Sequence, residues 1–507
     1  MTTPGRFASP LWWHEHTNTV SLAIIASIVI TILCVPGWWW VLAGLSVIAG
    51  GLLLSLLSVV FAGRTDVILL GWILIFPLGY CYLSYPIEHS LVTLDRVFLA
   101  LLFITACWVA DAGNCKIPLP LRKSGLCWVV FLLFAALAIP RARTPLNSLR
   151  VWLEALLFPG LLCWRIICQF DVRKHVVGLH YVTCIMAIYV ACIGMAEVAL
   201  QRDLLPIPSG DVIVAGDYGG DPRDAATQIL IRPNGPFSTV NSFAIVGIVN
   251  LCFLLFLKRA IPYRMATGQK MLHRVAVAAA FAETVMPLFK SVLITLVLML
   301  LVNACYEVGR RKLRAVGVAV GLVLGLICLR MILPVVFEER ADPFTFYARI
   351  AQEKQTLALF KEHPVNGVGL NNFYEAAQSR DSAGYRDAEA LDTAHNNFGA
   401  VLAETGLTGF VPFLMSQILI VGAYRRIYKK DSKELTLVWK TFLFLFLAFS
   451  INGLSLTIIY FGDANLWYMC VMGIIYKFGI TSQSYGALDA PPFRPTLGPN
   501  SIALQPH

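Results

Sequence analysis

Apolar runs of roughly 16 to 25 residues recur along most of this chain, the length an α-helix needs to cross the hydrocarbon core of a bilayer. Lipid offers no partner for backbone N–H and C=O groups, so such runs fold either as helices or as a closed barrel. Strands of alternating polarity are missing, which argues against a barrel. The expected fold class is therefore all-α, a polytopic transmembrane helical bundle of about 12 to 14 spans. Composition agrees: of 507 residues, 58% are hydrophobic and 14% charged, more apolar surface than one water-soluble core can hide.

The runs place spans at about 20–35, 39–62, 66–84, 91–110, 125–140, 146–168, 176–200, 237–257, 272–287, 289–306, 314–336, 398–424, 437–459 and 463–480. The first begins near Val20 and others follow directly, so it reads as a span and not as a cleaved signal peptide. The stretch from Met271 to Tyr306 is divided into two helices around Pro287 and Lys290. Charge supports the division. The formal net charge is +10, but the basic residues form short clusters between apolar runs and report orientation, with no nucleic-acid partner implied. Clusters at Lys258–Arg274, Arg310–Arg314 and Arg425–Lys433 all fall inside if the N-terminus is inside and the two helices are separate.

This topology gives N-terminal spans over 1–200, an outer loop over 201–236 and central spans over 237–336. A large helical outer loop comes next at 337–397, then C-terminal spans over 398–480 and a Pro-rich disordered inner tail over 481–507. The large loop is expected to hold an amphipathic helix at Pro343–Glu362, followed by a turn at His363–Gly369. The thirteen cysteines lie in or beside apolar runs or in short loops, and no CxxC pair occurs. Neither a structural disulfide nor a metal cluster is expected.

Polar groups that carry chemistry gather on the outer side. They are Arg232-Pro233-Asn234-Gly235-Pro236-Phe237, then Arg349 ahead of His363-Pro364-Val365-Asn366-Gly367-Val368-Gly369, then His395-Asn396-Asn397 and Glu404-Thr405-Gly406. A guanidinium stays charged at any working pH and grips phosphate oxygens in a fork. An imidazole near neutrality can take a proton from an attacking hydroxyl.

This ordered pattern, best between Ile231 and Gly409, resembles the O-antigen ligase and polysaccharide polymerase superfamily of bacterial membrane glycosyltransferases. The resemblance rests on Pro364–Phe373, closed by His395-Asn396 and the Glu404-Thr405-Gly406 turn. It implies a GT-C-like fold in the bacterial inner membrane and metal-independent, cofactor-free, inverting transfer of a glycan. The donor is an undecaprenyl-pyrophosphate-linked glycan, and the acceptor a hydroxyl on a glycolipid or glycan. By the same resemblance His395 is the catalytic base and Arg232 and Arg349 bind the donor, with Asn396 and Glu404 beside them. The family often has a Ser-Arg-Gly turn where this chain reads Phe289-Lys290-Ser291, which makes Lys290 a third candidate cation.

Plainer readings stand beside these. His395 at a helix start can be a cap, Arg349 can pair with Glu353 at i+4, and Arg232 can belong to an ordinary turn. Glu404 can fix helix packing. Arg96 after Asp95, and Arg150 four residues before Glu154, can be satisfied locally. Gly367-Val368-Gly369 lacks the setting of a dinucleotide fingerprint, and Asp217, Asp221 and Asp224 lack EF-hand spacing. A ligase, a polymerase and a protein glycosylase differ only in the acceptor, which is a lipid A core sugar, another repeat unit, or a serine or threonine. A transporter or flippase is the alternative from another class, and it predicts key charges near the bilayer midplane and a two-fold repeat that the chain does not show. A structural scaffold predicts that His395 is dispensable.

Overall fold

The computed structural model describes residues 65–81, 84–85, 92–108, 119–202, 204–205, 233–237, 239–261, 265–287, 289–307, 343–380, 394–428 and 432–487. Outside the described residues lie the expected spans at 20–35, 39–62 and 314–336, Arg232 and the acidic residues 217–224, and the tail beyond residue 487. The chain divides into two compact units, Met1–Leu69 with Ala100–Ala110, and Leu70–Leu99 with Asp111–His507. The first contributes only the apolar ends Thr65–Leu69 and Ala100–Trp108 to the described residues. The second holds every described residue from Leu119 onward.

The fold is all-α. Its helices are α1 (Thr65–Cys81), α2 (Leu94–Trp108), α3 (Leu119–Ala138), α4 (Pro145–Gln169), α5 (Val172–Leu200), α6 (Val240–Ala260) and α7 (Thr267–Val285). They continue with α8 (Lys290–Glu307), α9 (Pro343–Glu362), α10 (Phe373–Arg380), α11 (Asn397–Ile427), α12 (Lys433–Gly453) and α13 (Gly462–Ala487). A two-residue antiparallel ladder, Ser84–Tyr85 with Val92–Thr93, is the only strand pairing among the described residues. Among the described residues, six helices are long and apolar enough to cross a membrane: Leu121–Arg141 from α3 onward, and α4, α5, α6, α11 and α12.

The expected division around Pro287 is present, with a turn at Met286–Pro287 between α7 and α8. Three boundaries move for local reasons. Helix α5 starts before the expected residue 176 because Asp171 caps it, accepting from the Lys174 N–H at 3.2 Å. Helix α6 starts at Val240 because Thr239 accepts from the Ser242 N–H. Helix α13 continues to Ala487, past the expected end at 480, with Ser482 buried.

Helix α6 is the hub. Apolar on every side, it is buried on nearly every side and packs against α5, α7, α8, α12 and α13. At Gly247 the backbones of α6 and α7 come so close that a Cβ would stand 2.7 Å from the Glu283 Cβ. The buried Glu283 accepts from Asn250 Nδ2 at 2.9 Å, and Asn250 Oδ1 accepts from Trp467 Nε1 at 2.8 Å, which ties α7 to α13 through α6. Helices α3 and α11 pair at the periphery and leave Leu126, Val129, Leu133, Val411 and Ile418 exposed, an apolar face suited to lipid.

Two of the local ion-pair readings meet different outcomes. Arg150 does pair with Glu154 at 3.3 Å within α4. Arg96 also ion-pairs with Glu154, across 58 residues, while Asp95 accepts from Trp72 Nε1.

Contacts between helix ends agree with the sides assigned from charge. Ends assigned outside touch one another: Arg141–Arg143 with Asn366 and Asn372, Tyr460 with Glu404, and Ser242 with Asp463. Ends assigned inside do likewise, as Arg173 reaches Glu434 at 2.7 Å and Ser482 at 2.8 Å. Alkaline phosphatase fused after Arg380 is accordingly expected to be active on the outer side of the membrane, and the same enzyme fused after Tyr428 inactive. The reverse pattern contradicts the orientation.

Candidate active site

Helix α11 contains a break. Gly406 has φ 65° and ψ −166°, outside helical geometry, so the backbone groups around it lose their intrahelical partners. Those partners come from the turn after α9. The carbonyls of Ala403 and Glu404 accept from the N–H groups of Val368 and Gly369, each at 3.0 Å. The N–H groups of Leu407 and Thr408 donate to the carbonyls of Pro364 and Val365, at 2.9 and 3.2 Å. Two carbonyls and two amides freed by the break thus meet two amides and two carbonyls of the loop.

A typical net hydrogen bond contributes only about 1 kcal/mol, but an unpaired backbone group away from water costs several. The pairing is therefore obligatory once the helix breaks. It also explains the glycines. At Gly367 (φ +66°) a Cβ would stand 2.2 Å from the Glu404 carbonyl carbon, and at Gly406 one would stand 2.3 Å from the Val365 oxygen. Gly369 (φ +112°) lies against the backbone of Arg141 and Ala142.

Side chains extend this clasp. Glu404 is 2% exposed, and its Oε2 accepts from the Asn371 N–H at 2.7 Å and from the Tyr460 hydroxyl. Burial and the adjacent Glu404 raise the Tyr460 phenol well above its usual value of 10, so it remains a donor. Asn372 accepts from the Arg143 N–H at 2.9 Å, Ser148 Oγ donates to Leu370 O at 2.7 Å, and Arg141 donates to Asn366 O at 3.0 Å. Glu404 thus ties the loop to α11 and to Tyr460.

The start of α11 is built separately. Asn396 is the helix cap, its Oδ1 accepting from the Phe398 N–H at 2.9 Å, while its Nδ2 donates to Glu353 on α9 at 3.3 Å. Both ends of the Asn396 amide are used within the protein, and the cap is not His395. Asn397 Oδ1 accepts from the Ile459 N–H at 2.9 Å, which docks the 3₁₀ turn Ile458–Tyr460. His395 is half-buried with φ 43°, a left-handed conformation uncommon outside glycine. That conformation costs on the order of 1 kcal/mol and marks a place where the surroundings dictate the backbone.

Of three further expected residues, two are placed by their backbone. Position 349 lies one turn before Glu353 on the stripe of α9 that meets the start of α11. The expected helix Pro343–Glu362 is present, and its buried stripe is Gln352, Thr356 and Leu359, more polar than an amphipathic reading predicts. Lys290 opens α8. Arg232 lies outside the described residues, but the chain after it is fixed. Asn234–Phe237 forms a turn, as the plain reading of the Asn-Gly pair expects, with the Gly235 N–H donating to Glu197 at 2.7 Å. Ser242 beyond it donates to Asp463 at 2.7 Å, three residues past Tyr460.

Sequence reading missed Arg141, Arg143 and Tyr460. The arginines carried a signal: they sit on the outer side, against the bias of Lys and Arg for the inner one. Beneath the clasp runs an apolar groove walled by Trp128, Trp164, Phe413, Met469 and Met472 and reaching Ile459 beside Tyr460. Its lining suits an aliphatic chain. The described residues put no group of metal-capable side chains at this outer end.

The clasp makes a graded prediction. Gly367→Ala and Gly406→Ala should each destabilise the protein by about 2 kcal/mol or more, since each adds a Cβ where backbone already stands and at positive φ. Gly422→Ala, where a Cβ meets nothing within 4 Å, should be neutral or stabilising. Thermal unfolding in detergent measures the order, and equal midpoints for all three contradict the clasp.

Residues 238–414 match the family described as O-antigen ligase. The matched segment runs from just before α6 through the clasp and into α11. No curated protein matches the chain.

Proposed function

We infer, from the membership of this chain in the O-antigen ligase/polymerase superfamily through residues 238–414, that it transfers a glycan from undecaprenyl pyrophosphate to an acceptor hydroxyl at the outer face of the inner membrane. The observation that carries this reading is the clasp of residues 364–369 on the break at Gly406. It holds α9, the His395 turn and the mouth of the apolar groove at one outer end.

In this mechanism the polyprenyl chain lies in the groove and its pyrophosphate emerges at the clasp. Arg232 and Arg349 grip the phosphate oxygens, with Lys290 as a further cation. His395 takes the proton of the acceptor hydroxyl as the oxygen attacks the anomeric carbon. The bond from that carbon to the pyrophosphate oxygen breaks, and the leaving group departs with the bonding pair, its charge held by the guanidinium groups. A single displacement inverts the anomeric configuration, and no step calls for a divalent metal. The acceptor is a lipid-linked core sugar in a ligase and a growing glycan in a polymerase. The ligase reading is adopted on the likeness of the central motif.

His395→Gly separates chemistry from backbone, because glycine relaxes the left-handed turn while removing the imidazole. Its unfolding midpoint should equal or exceed that of the native protein, and turnover with undecaprenyl-pyrophosphate oligosaccharide should fall by roughly 10²-fold or more. Native turnover in His395→Gly excludes the base assignment. Arg349→Lys keeps the charge but loses the fork, so donor affinity should drop. Unchanged affinity returns Arg349 to a salt-bridge role. Activity should also persist in EDTA.

A further inference from the structure

At the opposite, inner end of the helices, three side chains that the transfer chemistry does not use converge. His180 and Cys184 lie one turn apart on α5, and His273 lies on α7 beside it. All three are buried, at 0%, 0% and 3% exposure. His180 Nε2 is 3.2 Å from His273 Nδ1 and 3.6 Å from Cys184 Sγ, and the three ligand atoms lie within 4.8 Å of one another.

Hydrogen bonds do not account fully for this arrangement. Nε2 of a neutral imidazole carries either one proton or one lone pair, yet it faces a nitrogen and a sulfur at once. One proton cannot serve both contacts well. A single cation among the three atoms serves all of them. Two imidazole nitrogens about 2.0–2.1 Å from a trigonal or tetrahedral ion stand roughly 3.3–3.6 Å apart, and a nitrogen and a thiolate roughly 3.5–3.8 Å apart. The two spacings from His180 Nε2 already match to within a few tenths of an ångström, and His273 Nδ1 and Cys184 Sγ, within 4.8 Å of each other, close by up to about 1 Å on a shared ion.

Charge selects the ion. Two neutral imidazoles and one thiolate carry a charge of −1, so a monovalent ion gives a neutral assembly and a divalent ion leaves +1 among apolar helices. Thiolate and imidazole also suit a soft ion of low coordination number. We propose that His180, Cys184 and His273 form a buried Cu(I) site that clips α5 to α7.

Binding releases the thiol proton to solvent and involves no change of oxidation state. The site's reach is structural. In its last turn helix α5 carries Glu197, which holds the Gly235 turn, and α7 leads through Met286–Pro287 to Lys290. Fixing these helices at the inner end sets the spacing of the elements that carry two candidate cations at the outer one.

The test uses the full chain in nanodiscs under anaerobic conditions, with bicinchoninate competing for Cu(I). One Cu(I) per chain should be retained. Cys184→Ser and His273→Ala should each weaken retention at least tenfold, while Cys192→Ser, at an exposed cysteine on the same helix, should not. X-ray absorption at the copper edge of the native protein needs no variant and should show one sulfur and two nitrogen neighbours. Failure of the native chain to retain Cu(I), retention indifferent to Cys184 and His273, a copper shell without sulfur, or tighter binding of Zn(II) than of Cu(I) would each overturn the proposal. None of these readouts depends on glycan transfer.

Discussion

A helix broken inside a membrane protein must find partners for its freed backbone groups, and that constraint organises the outer end of this chain. The break at Gly406 releases two carbonyls and two amides, and the Pro364–Gly369 turn supplies their complement. The loop cannot leave without exposing unpaired backbone groups on both sides. The loop is thereby fixed to α11 by four backbone bonds, and the Thr408 hydroxyl and the Glu404 carboxylate add side-chain bonds to Val365 O and the Asn371 N–H. Glu404 and Tyr460 then bring in the start of α13, and Arg141–Ser148 bring in α4.

This division of labour changes how the motif is read. The glycines of His363–Gly369 and Glu404-Thr405-Gly406 admit close backbone approach, and Glu404 holds the loop amide of Asn371. The groups suited to chemistry lie one step away, on the strained His395 turn and on α9, which Asn396 ties together through Glu353. The groove below supplies an apolar channel ending beside Tyr460. A lipid-borne substrate would thus meet polar groups where its chain ends.

Much of the architecture was legible in the sequence because apolar length and charge bias act locally. Helices α3 to α8 and α11 to α13 fall close to the apolar runs, and the turn at Pro287 falls where charge bias demanded it. Errors at boundaries came from caps such as Asp171 and Thr239, whose signal is a single residue. Of the candidate site, the turn at Asn234–Phe237, the helix Pro343–Glu362 and the position of the His395 turn were legible. The family resemblance marked Glu404-Thr405-Gly406 as a turn, but apolar length reads straight through it, so neither the break in α11 nor the Pro364–Gly369 loop that fills it had a local mark. Tyr460 and the His180–Cys184–His273 group were hidden for the same reason. Their partners are distant in sequence, and a histidine and a cysteine one turn apart on one helix with a histidine on another carry no CxxC signature.

The central claim is that the clasp frames a diphosphate site between Arg232, Arg349 and His395. The most direct measurement is an electron cryomicroscopy structure of the full chain with undecaprenyl pyrophosphate. The account predicts the polyprenyl chain in the Trp128–Met472 groove, with the diphosphate within hydrogen-bonding distance of both guanidinium groups and His395 at its open side. A diphosphate bound away from the Gly406 break, or guanidinium groups on opposite faces of the bilayer, would contradict it.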